Sequence, residues 1–183
     1  MWKWVVLALG SLALSYLSRN ALRKPGSHGF YRFFAWELML ALLLLNVSHW
    51  FADWRAWYQV ISWSLLFVCL VPLVFGVSSL NTRGRPDERQ RTEPELLGFE
   101  RTTSLVTDGI YRYIRHPLYS SLLILNWGIF FKQPSWIAVV VALGASLLLL
   151  ATARADEAEC TQTFGADYRQ YMQHTRMFIP YLF

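Results

Sequence analysis

Charge is scarce in this chain. Asp, Glu, Lys and Arg make up 16% of its 183 residues, where a soluble domain carries about 25%. Lysine is scarcer still: of 17 basic residues, 3 are Lys and 14 are Arg. The two cysteines, Cys69 in an apolar stretch and Cys160 in a charged one, suggest neither a disulfide nor a metal-ligand spacing. There is no internal repeat, no low-complexity segment and no glycine-rich dinucleotide motif. These absences exclude a disulfide scaffold, a fibrous protein and a disordered chain.

Apolar sequence is abundant, at 55% of residues, and it is gathered into blocks. Five can be marked: Trp2 to Leu17, Phe33 to Trp50, Trp57 to Leu80, Pro117 to Phe131, and Trp136 to Ala153. A helix rising ~1.5 Å per residue needs ~20 residues to cross a hydrocarbon core. The third block is ample, and the first, second and fifth suffice with Trp and Arg anchors at their ends. The fourth is short, so its start is expected below the headgroup level. Pro72 and Gly76 are expected to bend the third block. Lys132-Gln133-Pro134-Ser135 reads as a tight hairpin between the fourth and fifth.

The fold class expected is therefore all-α: a polytopic membrane helix bundle of about five transmembrane helices, forming a single membrane domain over 1–183. Positive charge follows the first block, where a signal peptide carries it in front, so a retained first helix is expected. With the amino terminus outside, 14 basic residues fall on inner segments, Arg89 and Arg91 among them. Only Lys3, Arg55 and Lys132 fall outside. The carboxyl terminus is then cytoplasmic, in the inner membrane if the cell is bacterial. The net charge of +5 points to anionic lipid headgroups rather than nucleic acid. No obligate protein partner is evident.

The most informative segment runs from Leu105 to Tyr119. Asp108-Gly109 signals a turn. Pro117 suits the first position of a helix, and His116 before it is pushed to extended backbone. Arg115 and His116 thus stand at a helix mouth, a ready anion site. Tyr111, Tyr113 and Tyr119 border it. Interfacial anchoring alone would also account for Arg and Tyr here. The tail adds Asp156, Glu157 and Glu159, then Phe164-Gly165, Tyr168 and Tyr171.

Together these motifs resemble the isoprenylcysteine carboxyl methyltransferase family, related to the phospholipid methyltransferases. That family's pattern reads Arg-His-Pro-x-Tyr-x-Gly, then Glu-Glu-x-x-Leu-x-x-x-Phe-Gly. Arg115, His116, Pro117, Tyr119, Phe164 and Gly165 match. Ser121 replaces the glycine, Asp156-Glu157 the acidic pair, and Cys160 the leucine. The likeness covers Leu105 to Pro180, the expected catalytic core over 105–183. Residues 1–104 supply three helices and a cytoplasmic loop.

The resemblance implies S-adenosylmethionine as cofactor, bound at the cytoplasmic face between the loop before the fourth helix and the tail after the fifth. It implies binding by Gly109, Tyr111, Arg115, His116, Pro117, Tyr119, Asp156 and Glu157, with Arg115, His116 and Glu157 closest to catalysis and no metal. Arg115 and the helix mouth suit the cofactor carboxylate. Asp156 or Glu157 suits its ammonium or ribose. Neighbours on a helix point ~100° apart, so one of the two is expected to face the pocket and the other solvent or an arginine. Glu159 reads as a solvated helix face. The acceptor is a lipophilic or small molecule: a carboxylate, thiol, amine or phenol. An amine or alcohol would need a base, with His116 and Glu37 as candidates. Asn46 and His49 read as interfacial; His28 and His174 show no partner. Two other readings are an NADPH-dependent reductase resembling the steroid 5-alpha-reductases, and a non-enzymatic membrane protein.

Overall fold

The structure is a computed structural model that describes residues 2–85, 96 and 100–181. Arg89 and Arg91 lie outside the described residues. Among the described residues eight α-helices run in order: α1 (Trp2–Leu17), α2 (Arg19–Leu22), α3 (His28–Asn46), α4 (Trp57–Val68), α5 (Leu70–Arg83), α6 (Pro117–Phe130), α7 (Trp136–Phe164) and α8 (Ala166–His174). The described residues contain no strand, and a single parallel bridge joins Ile114 to Arg176.

Among the described residues three stretches are long and apolar enough to cross a membrane: His28–His49, Trp57–Arg83 and Trp136–Phe164. Trp2–Leu17 and Pro117–Phe130 are shorter apolar helices. The burial pattern is that of a bundle in lipid. Asn46, Gln59, Ser62 and Asn126 are buried, while Phe67, Phe75, Val140 and Leu147 face outward. Water would penalise such a surface, and a bilayer favours it.

The core is the antiparallel contact of α3 with α7, with α6 packed beside both. Ala138, Ala142, Ala145, Leu149 and Ala153 recur every three or four residues along α7 and are all fully buried. The small size of the four alanines lets the backbones approach closely. Ala35, Met39 and Leu42 of α3 pack against this stripe. Buried polar groups tie the helices together: Asn126 donates to the Ala142 carbonyl (2.9 Å), Asn46 to that of Ile129 (2.9 Å) and Ser62 to that of Gly128 (2.7 Å). Asn46, the last residue of α3, is therefore buried within the bundle.

Pro72 breaks the third block where expected. It has no N–H for the carbonyl of Val68, and α4 gives way to α5 at Cys69. Between α6 and α7, Ser135 caps α7 by accepting from the Ala138 N–H at 3.2 Å. Lys132 in that hairpin is no surface anchor. It is fully buried, with Nζ 3.6 Å from the Trp63 ring centre and 3.1 Å from Gln59 Oε1.

One boundary differs in a way that matters. The fifth block ends at Ala153, but α7 continues without a break to Phe164. The first part of the expected tail is thus helix. Asp156, Glu157 and Glu159 ride on a rigid extension of a core helix. Gly165 ends it at φ +60°, a conformation that favours glycine, and α8 folds back toward the α6 mouth.

Candidate functional site

His116 ends the turn before α6 with φ −123°, and Pro117 opens the helix. The carboxyl-terminal tail pairs with this turn. Arg115 N–H donates to the Arg176 carbonyl (2.8 Å), His116 N–H to that of Met177 (3.1 Å), and Arg176 N–H to that of Tyr113 (3.1 Å). Ser120 Oγ donates to the Phe178 carbonyl at 2.9 Å. The tail is thus strapped across the mouth of α6.

A cavity opens at this mouth. Its polar wall holds His28, Glu100, Arg115, His116, Asp156 and Glu159. Tyr111, Phe164, Tyr168 and Tyr171 form an aromatic wall. Leu80, Leu105, Val106 and Leu118 form an apolar one.

Of the residues predicted for the site, Tyr111, Arg115, His116, Pro117, Tyr119 and Asp156 line the cavity. Gly109 does not. It makes a left-handed turn (φ +65°) packed against Ser79 and Arg83. Glu157 lies behind the wall, where it accepts from Arg115 Nε at 2.7 Å. Asp156 is therefore the acid that faces the cavity, and Glu157 is the one that pairs with an arginine. Tyr113 and Arg112 are exposed. Glu37 sits apart from the cavity, where its Oε2 accepts from Ser11 at 2.6 Å.

Arg115 has two roles in one side chain. Besides Glu157, its Nη1 donates to the carbonyl of Thr175 and, at 3.3 Å, to that of Met172. It faces the cavity while fastening α7 to the tail. His116 is gripped from both sides, with Nδ1 3.4 Å from Asp156 Oδ2 and Nε2 3.4 Å from Glu157 Oε1. Its ring stacks on Tyr119 at 5.4 Å.

Burial alone would lower the His116 pKa, but bonds to Asp156 and Glu157 outweigh it and raise it above 6.5. The folded state therefore holds this proton more tightly than the unfolded chain. The resulting stabilisation is full below about pH 6.5 and is lost as pH rises through the folded value. Thermal melts in detergent should show the wild type losing its advantage over His116→Gln as pH rises from 6.5. A gap that grows with pH would contradict this. Burial pushes the Tyr111 and Tyr168 hydroxyls upward, so both stay neutral.

Four residues of the cluster were not legible as site residues. His28 is buried, with Nδ1 2.7 Å from Glu159 Oε2 and its backbone N–H 2.9 Å from Glu159 Oε1. Glu159 is thus only partly solvated and is held by His28, which does have a partner. Arg32, one turn further along α3, forms an ion pair with Glu100, whose Oε2 also lies 3.7 Å from His28 Nε2. A signal existed in the helical spacing: Asp156, Glu159 and Cys160 share a face of α7, as do His28 and Arg32 on α3.

The cluster thus balances the carboxylates of Glu100, Asp156, Glu157 and Glu159 against His28, Arg32, Arg115 and His116. The fold and this cluster define a membrane helix bundle with a polar cavity at one end. Residues 92–167 match the family model described as phospholipid methyltransferase. The match spans the α6 mouth and the acidic turns of α7. It supports a membrane methyltransferase, of a group related to the isoprenylcysteine carboxyl methyltransferases. No curated protein and no solved structure matches the chain.

Proposed function

We propose that this protein is an integral membrane methyltransferase that moves a methyl group from S-adenosylmethionine to a lipophilic or small acceptor. One observation carries the reading: the segment matching the methyltransferase family wraps the polar cavity at the α6 mouth and supplies most of its walls.

The donor set fits the cofactor. Asp156 offers a carboxylate to an ammonium or to ribose hydroxyls. Ser120 N–H already bonds to the His116 carbonyl. Ahead of it, the first turn of α6 has backbone donors without intrahelical partners, and Arg115 stands beside them, a setting for a carboxylate. Tyr111, Phe164, Tyr168 and Tyr171 can flank an adenine or face a sulfonium. When bound, the cofactor would supply an electrophilic methyl carbon. The protein's part is to align the acceptor with that carbon and to keep water out.

S-Adenosylhomocysteine should stabilise the detergent-purified protein by about 2.7 kcal/mol at a hundredfold excess over its dissociation constant. NADPH should leave the melting temperature unchanged. Stabilisation by NADPH alone would hand the case to the reductase reading.

The proposed orientation places the cavity in the cytoplasm, where the cofactor is made. The asymmetry of basic residues supports it. Reporter fusions at residues 25 and 170 should read as inside and one at residue 55 as outside. The opposite pattern would put the cavity on the wrong side for a soluble cytoplasmic cofactor.

A further inference from the structure

We propose that the cleft between α1 and α3, at the end of the bundle away from the polar cavity, binds a phospholipid with an anionic headgroup. The inference needs only the membrane bundle and is independent of the methyltransferase reading.

The two helices run antiparallel and touch at one level. A Cβ on Gly10 would lie 2.7 Å from Leu40 Cδ2, so glycine at this position lets them approach. One residue on, Ser11 Oγ donates to Glu37 Oε2 at 2.6 Å. From this crossing toward Trp4 the helices part. A cleft of about 280 Å³ opens between them, lined by Lys3, Trp4 and Leu7 of α1 and by Ala41, Leu44 and Leu45 of α3. Ala41 deepens it, because its methyl stops short where the adjacent positions carry leucines. Helix α1 has no buried residue, so the chain itself leaves the cleft open.

The lining sorts by height. Leu7, Ala41, Leu44 and Leu45 offer only hydrocarbon, a surface for an acyl chain. Lys3 and Trp4 stand at the rim. A tryptophan there marks the headgroup level, and a lysine lays its stem along apolar surface while its ammonium reaches that level. Lys3 is the one charged residue of α1. Among the described residues no carboxylate forms an ion pair with it. A cation above a hydrocarbon cleft is complementary to an amphiphile that carries an anion above a chain. From Trp4 to Gly10 the cleft is about 9 Å long at ~1.5 Å per residue. It therefore grips the upper part of one chain, and the rest continues into the bilayer.

A second copy of the protein suits the cleft less well. Packing α1 against α1 would bury Lys3 beside a helix that has no acid to pair with it. Nor is this lipid the methyl acceptor. Leu44 stands 16 residues along α3 from His28, which lines the polar cavity, a separation of about 24 Å. The lipid's part is structural. It packs on both helices and seats α1, and it stabilises the folded chain by mass action.

Native mass spectrometry reads lipid number and oligomeric state together. The full chain would be stripped of lipid in detergent and titrated with dioleoylphosphatidylglycerol or dioleoylphosphatidylcholine. The wild type should hold one phosphatidylglycerol, with roughly fivefold preference over phosphatidylcholine, as expected for one lysine at an anionic headgroup. Lys3→Gln should remove the preference. Ala41→Phe should fill the cleft and lose the tightly held lipid, with a thermal melt confirming folded protein. Equal binding of the two lipids by the wild type would overturn the proposal. So would a preference that survives Lys3→Gln, or a phosphatidylglycerol still held by Ala41→Phe. A wild-type dimer that Ala41→Phe converts to monomer would give the cleft to a second copy and overturn it equally. If Ala41→Phe does not fold, the preference lost or kept in Lys3→Gln decides.

Discussion

Arg115→Ala is expected to detach the carboxyl-terminal tail and to weaken cofactor binding in a single change. Arg115 and Glu157 form an ion pair at 2.7 Å with side chains only 10% and 13% exposed. Removing one partner of such a pair costs about 3–5 kcal/mol, because the other charge is left buried. Glu157 keeps His116 at 3.4 Å, which places the expected loss near the lower bound. Nη1 also holds the carbonyls of Met172 and Thr175, just before the tail pairs with the α6 turn. Proteolysis after Arg169 and Arg176 should therefore speed up in the variant. Affinity for S-adenosylhomocysteine should fall roughly ten- to hundredfold, as expected for a lost charge-assisted contact. Arg115→Lys keeps the charge but cannot bridge a carboxylate and two carbonyls with a planar fork, so it should rescue little. Arg112→Ala is the control, on the same segment but exposed. Equal losses at Arg112 and Arg115 would mean that general attraction, and no defined site, holds the cofactor.

Lys132→Ala should destabilise the fold by a comparable amount while leaving the cofactor site intact. The ammonium sits against Trp63 and Trp50, at 3.6 and 5.0 Å from their ring centres, and donates to Gln59 Oε1. Gln59 in turn donates to the carbonyls of His49 (2.9 Å) and Lys132 (3.0 Å). Truncation leaves a void between the rings and an unpaired amide oxygen, together costing about 3 kcal/mol. Lys132→Met keeps most of the stem volume and should lose about 2 kcal/mol, the worth of a desolvated cation–π contact. The 14 residues of α6 separate Lys132 from the cavity, a distance of about 20 Å at ~1.5 Å per residue. S-Adenosylhomocysteine affinity should therefore be unchanged once melts confirm a folded population. A wild-type melting temperature for Lys132→Met would show that the stem alone fills the cage.

The two residues differ in how far they could be read beforehand. Arg115 stands in a motif whose parts constrain one another locally. Proline starts the helix, the residue before it must be extended, and the arginine is carried to the mouth. Lys132 stands in a four-residue turn beside a proline, where a lysine ordinarily faces water. Its cage comes from Trp50 and Trp63, which are brought to it only when α3 and α4 pack on the hairpin.

The same division runs through the whole molecule. The sequence by itself determined the apolar helices, the proline break in the third block and the all-helical class, because hydrophobic run length and backbone restriction are local properties. It also determined that Asp156 and Glu157 point apart, since helical geometry turns ~100° per residue. Which of the two faces the cavity was decided by packing, through the small-residue stripe of α7 that turns Ala153 inward against Tyr119. The run of α7 past Ala153 was likewise settled by tertiary contacts. Its charged turns are held by His28, Arg115 and His116 and so need no lipid. The His28–Glu159 pair joins residues 131 positions apart, and Arg32–Glu100 joins residues 68 apart. No periodicity carries information over such separations. Only the antiparallel docking of α3 on α7 brings an amino-terminal histidine to the acids of the far helix, because close approach of alanine-lined backbones fixes their register.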